Sequence, residues 1–359
     1  LLHICNAKIY YFTHKENALS ALPSVAVVIL NWNGRSFLEQ FLPSVCRSTY
    51  RNLELYVADN ASTDDSVAFV RMHYPQIKII LNNENNGFAG GYNAALQHVK
   101  ADIYVLLNQD VEVAPGWIEP VVAQMQRDHH IAACQPKLRA FHDKGEFEYA
   151  GAAGGWMDIL GYTFCRGRIL YTTEGDEGQY DDEQDIFWAT GAALFIRASC
   201  FHEMHGFDAD FFAHMEEVDL CWRLKRAGYR ICYCPESIVY HVGGGSLPQG
   251  NPRKLYLNFR NNLMMLWKNL HPADRWIVLF QRFFLDVLAA VKSLVAGKPA
   301  DMRAVYRAYR HYWKWRRTYD RSKHPLPEKR LLELSGVFHG IMIWRYYFLN
   351  RKTFRTLEK

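Results

Sequence analysis

A chain of 359 residues is long enough for one large α/β domain plus an appendage, since a single core stops growing near roughly 250 to 300 residues, and 49% hydrophobic with 22% charged residues excludes a chain disordered throughout. The net charge of +5 hides an asymmetry, because residues 251–359 hold 23 Lys and Arg against 7 Asp and Glu, a net of +16, and residues 1–250 a net of −11; the two parts therefore face different partners. Eight cysteines, at 5, 46, 134, 165, 200, 221, 232 and 234, form no CxxC pair, which excludes a zinc knuckle or redox motif and reads as reduced, cytosolic thiols.

Residues 1–23 carry Lys8 and Lys15 and no unbroken apolar core ending in small residues, so they read as a leader of unassigned role rather than a secretory signal. Strands are expected at 25–30, 53–58, 77–81 and 103–107, separated by helical spacing at 37–46, 65–73 and 89–99. Such alternation predicts a mostly parallel sheet covered on both faces, with ligand beyond the carboxyl ends of its strands. Those ends are polar: Asn31, Trp32 and Asn33, then Asp59 and Asn60, then the stretch 82–91, then Asn108 to Asp110. Each alone is explained equally well by turn chemistry. Their convergence on one edge points to a site.

Shorter mixed elements follow over 131–240, with a strand at 193–197, a helix at 217–227 and a last strand at 231–241. Four glycines and a proline in 242–250 then set an expected boundary, giving a domain over 24–250 and a basic, aromatic-rich helical region over 251–359. Residues 276–296 are apolar but interrupted by Arg282, Asp286 and Lys292, so no true transmembrane helix is expected. Arg275, Arg282 and Asp286, spaced seven and four, share one narrow helical face; the rest reads as an interfacial amphipathic helix, or as a helix buried among neighbours. The run from Tyr306 to Arg317 interleaves aromatics with Arg and Lys, a mixture suited to an anionic membrane surface or to stacking on RNA bases.

The ordered pieces VVILNWNG (27–34), VADNASTDDS (57–66), NNGFAGGYNAAL (85–96), LLNQDVEV (106–113), ATGAALFIR (189–197), EEVDLCWRLKRAGY (216–229) and IVYHVGGGS (238–246) together resemble a family 2 glycosyltransferase of the GT-A fold, particularly its rhamnosyltransferase-like branch, over roughly residues 25–245. The resemblance implies an α/β GT-A domain that moves a sugar from a pyrimidine nucleotide diphosphate, dTDP-rhamnose or a UDP-sugar, to a glycan or lipid-linked acceptor. It implies a peripheral enzyme at the cytoplasmic face of a bacterial inner membrane, with no nucleic acid partner.

The residues take roles under that resemblance. Asp59 accepts the imide N–H of the base, bordered by Asn31, Asn33 and Asn60. Asn86, Gly87, Gly90, Gly91 and Asn93 combine close backbone approach with a helix start whose free N–H groups attract negative charge. Asp110 and His241 hold Mg²⁺ or Mn²⁺ against the diphosphate, with Asn108 on the ribose or a metal-bound water and Gly243 to Gly245 as a lid or a linker. Glu217 is the base for the acceptor hydroxyl, with Glu216 or Asp219 holding it or the acceptor; one displacement at the anomeric carbon inverts configuration. Trp188, Thr190 and Gly191 lie under the sugars, although Trp188 reads equally as core. Processive synthesis is disfavoured, because the only approach to Gln-x-x-Arg-Trp is Gln124 to Arg127 followed by Asp128. Two other classes stay open: a sugar-nucleotide nucleotidyltransferase, which would want a basic glycine-rich loop where Asn31, Trp32, Asn33 and Gly34 stand, and a non-catalytic RNA- or membrane-binding protein.

Overall fold

The aliphatic runs and the amphipathic stretches between them become β1 (Val25–Asn31), α1 (Arg35–Cys46), β2 (Leu53–Asp59), α2 (Ser66–His73), β3 (Lys78–Leu81), α3 (Gly87–Leu96) and β4 (Ile103–Asn108), in a computed structural model that describes residues 22–243, 250–320 and 326–357. β1 lies between β2 and β4, parallel to both, and β3 extends β2 in the same sense. Helical crossovers cover both faces, so β1 and β4 need apolar side chains on each side. Val25 to Ile29 and Ile103 to Leu107 are accordingly all buried.

The chain continues through β5 (Val111–Val113), α4 (Ile118–Arg127), β6 (Ile131–Ala140), β7 (Gly155–Asp158), β8 (Thr163–Cys165), β9 (Arg168–Ile169), β10 (Thr172–Thr173), β11 (Gln184–Asp185), β12 (Ala193–Arg197), α5 (Ala198–Glu203), α6 (Glu216–Arg226) and β13 (Arg230–His241). The large sheet runs β11-β13-β6-β12-β4-β1-β2-β3, with β5 paired to β13. It is parallel through β3-β2-β1-β4 and between β6 and β13, whereas β12 is antiparallel to both its neighbours. β12 is reached through the small strands β7 to β11 rather than a crossover helix, which leaves it free to enter in the opposite sense. A mixed sheet with a parallel block is the result.

Beyond it lie α7 (Pro252–Asn269), α8 (Pro272–Val295), α9 (Pro299–Thr318), β14 (Val337–Phe338), α10 (Met342–Tyr347) and α11 (Phe354–Leu357). α7 starts where Asn251 accepts the Arg253 N–H at 2.8 Å ahead of Pro252, and α8 where His271 caps the Ala273 N–H ahead of Pro272. The boundary expected near residue 250 does not separate two cores. Leu263 to Leu266 of α7 are buried in one cluster with Phe187 and Trp222. β14 pairs in parallel with β7 in a second sheet of order β10-β9-β8-β7-β14, and the Phe354 ring packs on Trp156 and Phe164. Composition and glycines divide this chain, yet its apolar surface does not follow that division. Among the described residues no helix is long and apolar enough to cross a membrane.

Candidate active site

Register brings the polar strand ends together: Asn31 stands opposite Asp59, and Leu30 opposite Asn108. Asn31 Nδ2 donates to Asp59 Oδ1 at 2.9 Å, Ser62 Oγ at 3.1 Å and Ser66 Oγ at 2.8 Å, while Asp59 Oδ2 accepts the Ser62 N–H at 3.0 Å. Asn33, at a φ of 49°, turns its Oδ1 to accept the Thr63 N–H at 2.7 Å. The loops after β1 and β2 thus form one hydrogen-bonded shelf. Gln109 joins it to the next loop, its Oε1 accepting the Trp32 N–H at 3.3 Å. Asn31 Oδ1 is buried on this shelf with no partner among the described residues, the kind of orphan acceptor that a ligand donor satisfies.

The pairing of β5 with β13 sets His241 opposite Val111 and so beside the β4–β5 turn. His241 Nε2 lies 3.2 Å from Asp110 Oδ1 and 3.4 Å from Asn108 Nδ2. On its other side Nδ1 lies 3.3 Å from Glu148 Oε1, an ion-pair distance without hydrogen-bond alignment. Asp110, Glu148 and His241 are all buried. Burial alone would lower the imidazole pKa, but the carboxylates of Glu148 and Asp110 outweigh it and push it up to about 10. Gly243, beside Glu148, has a φ of 73°, a left-handed conformation that favours glycine. Two adjacent ligands of an octahedral cation at about 2.1 Å are separated by roughly 3 Å, which matches the 3.2 Å between Asp110 and His241. The pair fits one edge of a divalent cation's shell. No group of three or more His, Cys, Asp or Glu forms a complete cage among the described residues.

The start of α3 departs from expectation. Its N–H groups are not open to a donor anion: Phe88 and Ala89 donate to the Phe212 carbonyl at 2.7 and 3.2 Å, and Gly87 to Asn85 Oδ1 at 2.9 Å. Gly87, at a φ of 71°, admits that carbonyl, which would lie 2.3 Å from any Cβ. Asn86 Nδ2 donates to Glu84 Oε1, Gly90 makes room for the Asn86 side chain, and Gly91 for Asn60. Asn60 in turn donates to Asn85 Oδ1 and the Gly87 carbonyl, each at 3.0 Å. Asn93 grips Phe207 through both backbone groups, at 2.7 and 2.9 Å. This segment is a platform whose anion-binding end is occupied by a distant carbonyl.

That carbonyl belongs to a loop carrying three non-glycine residues at positive φ, Phe212 at 64° and His214 and Met215 at 71°, conformations that cost about 1 to 3 kcal/mol each unless the surroundings impose them. Asn261 of α7 imposes them, donating Nδ2 to the carbonyls of Phe211, Ala213 and His214 at 2.9, 2.8 and 2.7 Å. Arg260 adds bonds to the carbonyls of Asp210 and Phe211, both at 2.9 Å. α6 then begins with Glu216, buried, and Glu217, half-buried. His214 Nε2 and the Oε2 atoms of Glu216 and Glu217 are all buried without partners among the described residues. Burial pushes Glu217 up to about 7, and burial, then the neighbouring Glu217 charge, also raises Glu216 well above the ordinary carboxylate range. Burial, then the Lys254 charge, takes His214 down to about 4.

Asp219, on the same helix, is spent. Fully buried, it accepts from Arg223 Nε at 2.8 Å, Lys268 Nζ at 3.0 Å and Asn269 Nδ2 at 2.7 Å. Burial works against its charge, but Lys268 and Arg223 hold the carboxyl at about 2. It braces α6 against α7, and the expectation that it shares in handling the acceptor is set aside. Trp188 is core: its Nε1 donates to the Trp156 carbonyl at 3.0 Å and its ring fills the space over Gly155. Thr190 accepts the Ala192 N–H and donates its own N–H to Gln135 Oε1, and Gly191 lies against the Phe88 ring. The expected lid at Gly244 and Gly245 lies outside the described residues. Sequence reasoning missed Glu148, Gln109, His214 and Lys254. Lys254 lies within electrostatic reach of both Glu148 and His214, although it falls past the expected boundary; Glu148 sits in no motif.

Residues 26–198 match the model of Glycosyl transferase family 2. A curated relative, an N-acetylglucosaminyl-diphospho-decaprenol L-rhamnosyltransferase of Mycobacterium tuberculosis, is 28% identical over 233 residues, 60% of this chain and 75% of the relative. A pre-mycofactocin glycosyltransferase of the same organism is 28% identical over 223 residues, covering 60% of this chain and 42% of the relative. Among solved structures, GalNAc-T7 with UDP, GalNAc and Mn²⁺ superposes with a TM-score of 0.58 at 19% identity over 86% of this chain and 60% of its own. S. aureus TarS 1–349 with UDP-GlcNAc gives 0.53 at 14% identity over 79% of this chain and 80% of its own. These likenesses show the GT-A fold. The match of residues 26–198 to Glycosyl transferase family 2, the curated relatives and the fold together make this chain a glycosyltransferase, similar to L-rhamnosyltransferases.

Proposed function

We propose that the chain transfers a sugar, with inversion, from a pyrimidine nucleotide diphosphate to a hydroxyl of a lipid-linked or growing surface-polysaccharide acceptor at the cytoplasmic face of a bacterial inner membrane. dTDP-rhamnose is the favoured donor and a UDP-sugar the next. The observation that carries the reading is the adjacency of Asp110 and His241, 3.2 Å apart on the strand edge that also presents Asp59. The relative's name, with its L-rhamnose and its diphospho-decaprenol carrier, supports both the donor and the acceptor class.

Asp59, oriented by Asn31 and Ser62, accepts the imide N–H that uracil and thymine share, and Asn33 and Asn60 fix the loops around base and ribose. Asp110 and His241 would hold Mg²⁺ or Mn²⁺, which supplies neutralisation of the charge that develops on the departing diphosphate. Imidazole makes Mn²⁺ the better fit of the two. Glu217, with a carboxyl pushed up to about 7, is half ionised near neutral pH and takes the acceptor proton as the hydroxyl attacks the anomeric carbon. Glu216, raised by burial and by the neighbouring Glu217 charge, faces the acceptor beside it and holds its hydroxyl by a hydrogen bond.

A thermal-shift comparison of UDP, dTDP and GDP with and without Mn²⁺, followed by NMR of the product's anomeric signal, tests this. Metal-dependent stabilisation by dTDP or UDP and an inverted linkage are expected. Stabilisation by GDP alone, or a retained configuration, overturns it.

A further inference from the structure

α8 is built inside out. Arg275, Arg282 and Asp286 are 1 to 4% exposed, whereas Trp276, Ile277, Phe280, Phe284, Leu288 and Val295 of the same helix are 55 to 83% exposed. The buried charges are closed on the protein. Arg282 donates to Asn262 Oδ1 at 2.7 Å and to the Leu160 carbonyl at 3.1 Å, and lies 3.8 Å over the Tyr162 ring. Asp286 accepts from Tyr309 Oη at 2.8 Å, and Arg275 donates to the Leu270 carbonyl at 2.8 Å. Taking an ion out of water costs several kcal/mol even after relaxation, so water on the outer face would favour the opposite rotation of this helix. At about 100° per residue the exposed apolar side chains fall within an arc of roughly 140° on a rod about 36 Å long. No charge interrupts that arc.

The neighbouring α9 supplies the complement. Arg303, Arg307, Arg310, Lys314 and Arg317, spaced alternately four and three, are exposed along one stripe. Phe283 of α8 meets Tyr309 of α9 at 5.7 Å between ring centroids. An apolar groove of about 670 Å³ between the helices, lined by Trp276, Phe280 and Trp313, adjoins a recess of about 510 Å³ rimmed by Arg310, Lys314 and Arg317. The density of cations is felt at His311, whose pKa is held down by partial burial and then by Arg310, Arg307, Arg260 and Lys314.

We propose that α8 lies in the interface of an anionic phospholipid bilayer, its outward face among the acyl chains and the α9 stripe on the lipid phosphates. A second copy is a poor occupant, because it would bring together two segments each carrying a net +16. RNA is a poor one too, since Ile277, Leu288 and Val295 offer no face on which bases stack. The helix lies on the membrane rather than across it, with cations at the headgroups and aliphatic and aromatic residues below them. This inference supplies the bilayer at which a lipid-linked acceptor is met and so deepens the function proposed above, yet its physical basis is independent of donor and acceptor.

Flotation of the full chain with phosphatidylcholine vesicles, with and without phosphatidylglycerol, tests it. Wild type should partition at least about tenfold more strongly onto the anionic vesicles and lose that preference in high salt. Phe280→Glu with Leu288→Glu should lower partition by at least about tenfold on both vesicles. Arg310→Glu with Lys314→Glu should remove only the preference for anionic lipid. Thermal stabilisation by UDP or dTDP, retained in both variants, shows that they are folded, and transfer to a water-soluble acceptor reports separately on the enzymatic reading. Wild type that does not float, a Phe280/Leu288 variant that floats as well as wild type, or a charge reversal that leaves the anionic preference intact overturns the docking surface. So does a dimer that the Phe280/Leu288 variant dissolves while flotation is unchanged.

Discussion

The strand-end edge and the helices behind it both bury charge, and they do so by opposite means. Along α6 and α7, and between α8 and its neighbours, the buried ions described above are tied to protein partners: Asp219 with Arg223 and Lys268, Arg282 through its terminal nitrogens with Asn262, Asp286 with Tyr309. Other polar atoms are left open: Asn31 Oδ1 on the strand edge, and His214 Nε2, Glu216 Oε2 and Glu217 Oε2 around the start of α6, lack partners among the described residues. Closed networks fix geometry, whereas open ones have a place for something else. One helix shows both kinds within four residues, since Glu216 and Glu217 are open and Asp219 is closed. Neighbouring carboxylates therefore divide into chemistry and bracing by what faces them.

Substituting an open group should abolish transfer and spare the fold. The largest effect is expected for Glu217→Gln, a loss of transfer of up to about 10⁴-fold, the upper range for removing a general base. The wild-type rate should rise with pH through about 7 as Glu217 ionises, and that limb should vanish in the variant. Because this carboxyl sits above its ordinary value in the folded state, its ionisation destabilises the fold as pH rises from the ordinary carboxylate range through about 7. Glu217→Gln should consequently melt higher than wild type at pH 8, which calorimetry checks. Next comes Asp110→Ala, with about 10³-fold lower transfer, corresponding to roughly 4 kcal/mol of lost charge stabilisation, and loss of the Mn²⁺-dependent part of nucleotide stabilisation in a thermal-shift assay.

The open edge was largely legible in the sequence. Asn31, Asp59, Asn108 and His241 end strands and Asp110 follows one, and a strand's end is marked locally by where aliphatic residues stop. The ordered motifs made that edge the expected transferase site. The closed half was not legible, because closure is a long-range fact. Nothing near Gly87 reveals that the Phe212 carbonyl caps α3, and nothing near Asn261 reveals that its amide holds three carbonyls of the loop before α6. For the same reason the glycines before residue 250 suggested a boundary that the shared core denies. On α8 the spacing of Arg275, Arg282 and Asp286 gave the narrow charged face, but periodicity cannot say which face points inward.

A closed group should show the reverse behaviour. Asp219→Asn leaves Arg223 without its carboxylate and Lys268 with Asp208 alone, and should destabilise the fold by about 3 kcal/mol, read by chemical denaturation. Its carboxyl is depressed to about 2, so this stability is present above the ordinary carboxylate range and is lost as pH falls toward about 2. The gap between variant and wild type should therefore close in acid. Asn261→Leu sits between the two classes, since the amide touches no reacting group yet sets the loop that carries them. A kcat about tenfold lower with an unchanged donor KM is expected, as small misplacements of a base are costly; a fall in stability with no change in kcat would reduce Asn261 to a brace like Asp219.

The smallest effect separates a sugar platform from core at Trp188. Its indole N–H is satisfied by the Trp156 carbonyl at 3.0 Å, and its ring lies where a Cβ on Gly155 would come within 2.2 Å. Trp188→Phe keeps an aromatic ring but leaves that carbonyl without its donor and a small void in place of the larger indole. A cost of about 1 to 2 kcal/mol in stability follows from the lost bond and volume, with kcat and both KM values within about twofold of wild type. A ring that instead lay against the donor or acceptor would raise one KM at constant stability. The comparison of closed and open groups then fails at this position, because a satisfied, buried side chain would be reading substrate.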